Sequence, residues 1–148
     1  MEDVITIGAA VRDVILQSSH YKIVYGKQFS SGRAEAFSLG EKVEVEKLHL
    51  DIGGGGINSA TTFVRQGFRV SYFGKFGTDE PGKEIRKHLN KENIGTSFVI
   101  QDDAIQTGYS TILSVPSGER TVLVYRSKDQ LLQKKEIKSR FISITLNL

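Results

Sequence analysis

The sequence predicts a soluble α/β domain with parallel strand pairing, and three observations carry that expectation. Short β-branched runs alternate with segments of helical periodicity, glycine clusters stand at their junctions, and 39% apolar against 25% charged residues suffices for one modest core. No apolar run approaches the ~18 residues a membrane crossing requires, and no basic-then-apolar leader opens the chain. With no cysteine among 148 residues, a disulfide framework and thiolate metal sites are excluded. These features imply a cytoplasmic protein. The net charge of +3 arises largely from Lys134, Lys135, Lys138 and Arg140. A groove for nucleic acid shows a larger clustered excess with interleaved aromatics, so no nucleic-acid partner is expected.

The elements follow in order. Val4 to Ile7, closed by Gly8, reads as a buried strand, and Val14-Ile15-Leu16 as a second extended stretch. Residues 17 to 41 are polar and irregular and predict a loop or small appendage. From Lys42 to Ile52 the apolar residues alternate, but the phase switches around Lys47, which calls for a bulge or bend there. After Gly53–Gly56, the residues Ile57, Ala60, Phe63 and Val64 share one helical face, with Gly67 as the C-terminal stop. Val70 to Phe73 is a strand ended by Gly74. Thr78 or Asp79 caps a helix carrying Pro81 in its first turn and Ile85 and Leu89 on its buried side. This strand–turn–helix alternation over 42 to 95 predicts βαβ units. Three extended runs follow at Ser97–Ile100, Thr107–Val115 and Arg120–Tyr125. The last two are joined by the hairpin turn Pro116-Ser117-Gly118-Glu119. Phe141 to Leu148 alternates and is strand-like.

Chemistry concentrates at the four glycines, which let backbone approach a ligand and expose N–H groups at a helix N-terminus. Neither phosphate motif fits. Gly56 is followed by Ile57-Asn58 instead of Lys-Ser/Thr, and the dinucleotide pattern meets Asn58 or Ser59 where its last glycine belongs. A tight turn without a ligand is the less favoured reading, because four glycines cost so much unfolded-state entropy. Asn58 carries donor and acceptor capacity suited to a hydroxylated ligand, or is an ordinary capping residue. Asp13 lies just past the C-terminal end of the first strand, where open α/β sheets bind ligands and where a carboxylate can accept hydrogen bonds from two sugar hydroxyls; a surface-loop aspartate fits its position equally well. His20, His49 and His88 lack metal-ligand spacing, and Ser59 lacks a nucleophile motif.

Several ordered motifs together carry a resemblance. Gly53 to Ala60 with Gly67, the segment Gly74-Lys75-Phe76-Gly77-Thr78-Asp79-Glu80-Pro81-Gly82, Gly8 with Asp13, Thr107-Gly108, Gly118 to Thr121, and Tyr125-Arg126 resemble the PfkB (ribokinase-like) carbohydrate kinase family across residues 3 to 132. The resemblance implies a three-layer α/β/α sandwich with a small β-sheet lid, truncated at its C-terminal side. The lid segments would be about 17–50 and 107–125 of one kinase domain over 1–148. It implies ATP-dependent phosphorylation of a sugar or nucleoside hydroxymethyl group with Mg²⁺, a small-molecule sugar as partner, and a homodimer through the lid. Asp13, Gly54, Gly55 and Asn58 match sugar-contacting positions. Arg126 falls where some members contact an acidic sugar; the companion tyrosine of those members falls on Val124, and a solvated strand-end charge is the competing reading. The family's catalytic base lies in a Gly-Ala-Gly-Asp motif, and no glycine follows Gly118. No catalytic base is therefore assigned within these residues, ATP binding by this segment alone is not expected, and the segment alone is expected to be inactive. Asp79 and Asp102-Asp103 read instead as a cap and a turn. The alternative is a non-catalytic sugar-binding or dimerisation module; a dinucleotide-binding fragment fails on the fingerprint.

Overall fold

The computed structural model describes the backbone of residues 2–146 and the side chains of residues 2–140. In chain order the strands are β1 (Val4–Ile7), β2 (Val11–Gln17), β3 (Lys22–Tyr25), β4 (Arg33–Ala36) and β5 (Lys47–Gly53). Helix α1 (Gly55–Arg65) follows, then β6 (Val70–Phe73), β7 (Lys75–Gly77) and α2 (Glu80–Lys91). Next are β8 (Ile100–Asp102), β9 (Gly108–Ser114) and β10 (Arg120–Tyr125). A 3₁₀ turn at Lys128–Gln130 leads into α3 (Lys134–Leu146). No helix among the described residues is long and apolar enough to cross a membrane.

The chain forms two compact units. The first comprises residues 1–12, 52–109 and 125–148. In it β1 pairs parallel with β6, from Val4 opposite Val70 to Ile7 opposite Phe73, and β7 pairs parallel with β8. Gly95 extends the pairing at Ser71, receiving the Tyr72 amide on its carbonyl at 2.9 Å. The core gathers Ala10, Ile57, Ala60, Tyr72, Phe76, Ile85 and Leu89, all at most 1% exposed. Helix α1 buries Ile57 and Ala60, as its periodicity requires; Phe63 is instead partly exposed and meets Phe68 edge-to-face at 6.0 Å. Helix α2 is capped by Asp79, whose carboxylate accepts the Gly82 amide at 3.1 Å. A largely buried ion pair of 2.9 Å joins Lys75 on β7 to Glu136 on α3.

The second unit comprises residues 13–51 and 110–124. It holds the body of a four-stranded sheet in the order β10-β9-β2-β5, and the antiparallel hairpin β3–β4. A T-shaped contact of Tyr21 with Phe37 at 5.3 Å closes the base of that hairpin.

Three readings of the sequence are corrected, and a fourth, the bend near Lys47, is met. The polar stretch 17 to 41 contains a hairpin, because Ile23, Glu35, Ala34 and Ala36 supply enough half-buried cross-strand surface for one. The bend expected near Lys47 is present at Glu46, and strand begins beyond it. The strand before α1 does not share a sheet with the strand after it. β5 belongs to the four-stranded sheet, and β6 finds its parallel partner in β1. Residues 134–146 are helical, so Phe141 to Leu146 is not a strand; Asn147 and Leu148 lie outside the described residues. A helix nucleated in the Lys/Glu-rich, glycine-free stretch from Lys134 extends at one hydrogen bond per added residue and overrides a short alternation.

Candidate functional site

The glycine turn belongs to the first unit. Gly54 is the N-cap of α1 with φ +99, a left-handed conformation, and a Cβ there would sit 2.3 Å from the Ala9 carbonyl oxygen. Only glycine meets both conditions. The Asn58 amide closes the first helical turn onto the Gly54 carbonyl at 2.9 Å, and the Gly56 amide donates to Ala9 at 3.2 Å. Gly55 and Asn58 are exposed, Gly55 with open space where a side chain would stand. No side chain caps α1, so Asn58 is not its cap. Its side-chain amide is exposed in the first turn, on the helix end where orphan N–H groups favour polar or anionic ligand groups.

Beside the end of β1, a cavity of about 210 Å³ is lined by Gly8, Ala9, Val11, Arg126, Gln130 and Leu131, among others. Arg126 is exposed and makes no ion pair among the described residues. The Gln130 amide donates to the Ala10 carbonyl at 2.6 Å and pins the segment after β10 to the segment after β1. Neither Gly54, Gly55 nor Asn58 lines this cavity.

Asp13 lies on β2 in the second unit, not in a loop. Burial pushes its carboxyl above the ordinary carboxylate range. A hydrogen bond from Ser110 on β9 opposes that rise, and the charge of Asp51 on β5 adds to it. A second cavity, of about 340 Å³, also lies in this unit, between the β3–β4 hairpin and the turn at Gly118. Among its lining residues Arg33 is ion-paired with Glu119, and the Glu35 carboxylate oxygens are sealed from solvent without a partner.

The segment from Gly74 to Gly82 works structurally. Asp79 accepts the Thr107 amide at 2.9 Å and the Thr107 hydroxyl as well as the Gly82 amide, while the Thr107 hydroxyl oxygen accepts the Gly77 amide at 2.9 Å. Burial alone would raise the Asp79 carboxyl, but these hydrogen bonds outweigh it and hold it below its ordinary value. The cap reading of Asp79 and the turn reading at Asp102, whose carboxylate accepts the Ala104 amide at 2.8 Å, both describe the structure.

Sequence reasoning missed Tyr72, Ser110, Asp51 and Gln130. Each matters through a neighbour distant in the chain, and only Tyr72 left a local signal, as a tyrosine two positions before the glycine that ends its strand.

Comparison with known proteins agrees with this architecture. The chain matches the pfkB family carbohydrate kinase profile over residues 1–144. It is 35% identical over 80 residues to a 2-dehydro-3-deoxygluconokinase of Haemophilus influenzae, covering 51% of this chain and 26% of that protein. It is 30% identical over 92 residues to the probable fructokinase-5 of Arabidopsis thaliana, covering 61% and 28%. The solved structure of ribokinase from Giardia lamblia aligns with a TM-score of 0.73 at 20% identity, over 93% of this chain and 40% of that one. The matched segments thus span well under half of these proteins. With its ribokinase-like α/β fold and a family match across nearly its whole length, the chain belongs to the pfkB family of carbohydrate kinases.

Proposed function

We propose that this chain is the sugar-side part of an ATP-dependent kinase that phosphorylates a hydroxymethyl group of a sugar or nucleoside. The glycine turn at the head of α1 carries the reading. It is built for close backbone approach, and its exposed Gly55 and Asn58 offer donors to a hydroxylated ligand. Asp13, Gly54, Gly55 and Asn58 are the proposed sugar contacts, with Asp13 accepting hydrogen bonds from the hydroxyls. Arg126 is the proposed contact for an acidic group on the sugar. The β-rich segments 17–50 and 107–125 are the proposed lid, through which a homodimer would form.

ATP supplies the transferred phosphoryl group and Mg²⁺ neutralises its charge in such chemistry. The residues present do not fit either one. No cluster of His, Asp or Glu among the described residues is arranged for a metal ion, and the sequence has no Gly-Ala-Gly-Asp segment to supply a base and an anion hole. Positioning without those groups forgoes most transition-state stabilisation.

The test is calorimetry of the 148-residue chain with D-fructose and 2-dehydro-3-deoxygluconate, beside an ATP-dependent transfer assay. Saturable sugar binding without transfer is expected, and Asp13→Ala weakens it by about tenfold or more, as loss of a charged hydrogen-bond acceptor does. Unchanged binding in Asp13→Ala overturns the site. The coding DNA beyond position 148 should encode a Gly-Ala-Gly-Asp-like segment, and including it should restore transfer. The alternative reading, a non-catalytic sugar-binding or dimerisation module, predicts binding and no transfer in the longest natural form.

A further inference from the structure

Tyr72 is a buried titratable residue with no part in the function proposed above. It is fully buried on β6, and burial pushes its phenol well above the ordinary tyrosine range, so it stays a neutral donor. Its hydroxyl donates to the Gly8 carbonyl at 2.7 Å, at the point where the chain leaves β1. Its ring occupies space that two glycines leave open: a Cβ at Gly74 would lie 1.7 Å from the Tyr72 hydroxyl oxygen, and one at Gly56 would lie 2.7 Å from its ring. The same junction is tied from two other sides. The Thr6 hydroxyl donates to the Gly56 carbonyl at 3.0 Å, and the Gly8 amide donates to the Phe73 carbonyl at 3.2 Å. Backbone at the end of β1 and backbone at the head of α1 thus converge on one phenol.

We infer that Tyr72 is a positioning residue for the glycine turn: its phenol holds the exit of β1 against the first turn of α1 and sets the direction in which the Gly55 and Asn58 groups face a sugar. The inference rests on the glycine turn being the sugar site. The physical cause is preorganisation. A turn of four glycines has many accessible conformations, and every one that must be frozen on binding subtracts from affinity. A buried, uncharged hydrogen bond behind the turn removes that freedom before the ligand arrives.

The test compares Tyr72→Phe with Ile85→Val, a volume-reducing change in the same core away from the turn. Sugar affinity is read by calorimetry with D-fructose and 2-dehydro-3-deoxygluconate, and opening of the turn by amide hydrogen exchange at residues 54–58. Tyr72→Phe is expected to bind about five- to tenfold more weakly and to exchange faster at those amides, as expected when one buried acceptor loses its donor. Ile85→Val is expected to melt lower yet bind as the unaltered chain does. If Tyr72→Phe binds within twofold of the unaltered chain, or if both variants lose affinity in proportion to their stability, the positioning role falls. If the unaltered chain binds neither sugar, the site reading itself falls and the role with it.

Discussion

Asp13 illustrates how much a single residue owes to its neighbours. Its burial between β9 and β5, together with Asp51, raises its carboxyl despite the Ser110 hydrogen bond. A carboxyl raised in the folded state favours folding while protonated, below its unfolded pKa, and that contribution is lost as pH rises through the folded pKa. Above the folded pKa the ionised group therefore weighs against stability. Asp13→Asn is expected to raise the melting temperature at pH 7, and the gain should shrink toward zero as pH falls to about 4, near the ordinary carboxylate value. Thermal unfolding of both proteins at the two pH values measures this, and a lower melting temperature for Asp13→Asn at pH 7 contradicts it. The position of Asp13 after the first strand was legible in the sequence. Its surroundings were not, since Ser110 and Asp51 reach it only through strand order.

Among the elements, α2 depends most visibly on one side chain. Asp79 caps the helix and also receives both the amide and the hydroxyl of Thr107, 28 positions away. Its lowered carboxyl contributes stability above the unfolded pKa that is lost as pH falls through the folded one. Asp79→Ala should cost about 2–4 kcal/mol, the sum of a lost cap and of Thr107 donors left unpaired. The urea midpoint should fall with little change in slope. Asp79→Asn, which keeps an acceptor, should lose less. The cap was readable from Thr78-Asp79 ahead of Pro81; the tie to Thr107 was not. The same divide separates the helices α1 and α2, whose periodicity announced them, from β7. Three residues long and framed by glycines, β7 has no periodicity to read, and it exists because β8 lies alongside it.

For the molecule as a whole, the distribution of apolar surface is unusual. Val122, Leu123, Val124 and Tyr125 on β10 are exposed, as are Leu48 and Leu50 on β5, and these are the two outer strands of the four-stranded sheet. Leu123 is 56% and Leu48 63% exposed. Edge strands with apolar side chains invite pairing with other chains. The 148-residue chain is expected to self-associate at micromolar concentration; a monomer by light scattering with a sharp, concentration-independent melt would contradict that. By itself the sequence determined helices α1 and α2, the glycine turn, the hairpin at Gly118 and membership of the family, because each is written in local spacing or in motif order. Only the tertiary structure decided that β5 and β6 part to different sheets, that Asp13 is half-buried beside a like charge, and that Tyr72 stands behind the turn. Those depend on which distant strands meet, and strand partnership is a property of the packed chain that no local pattern encodes.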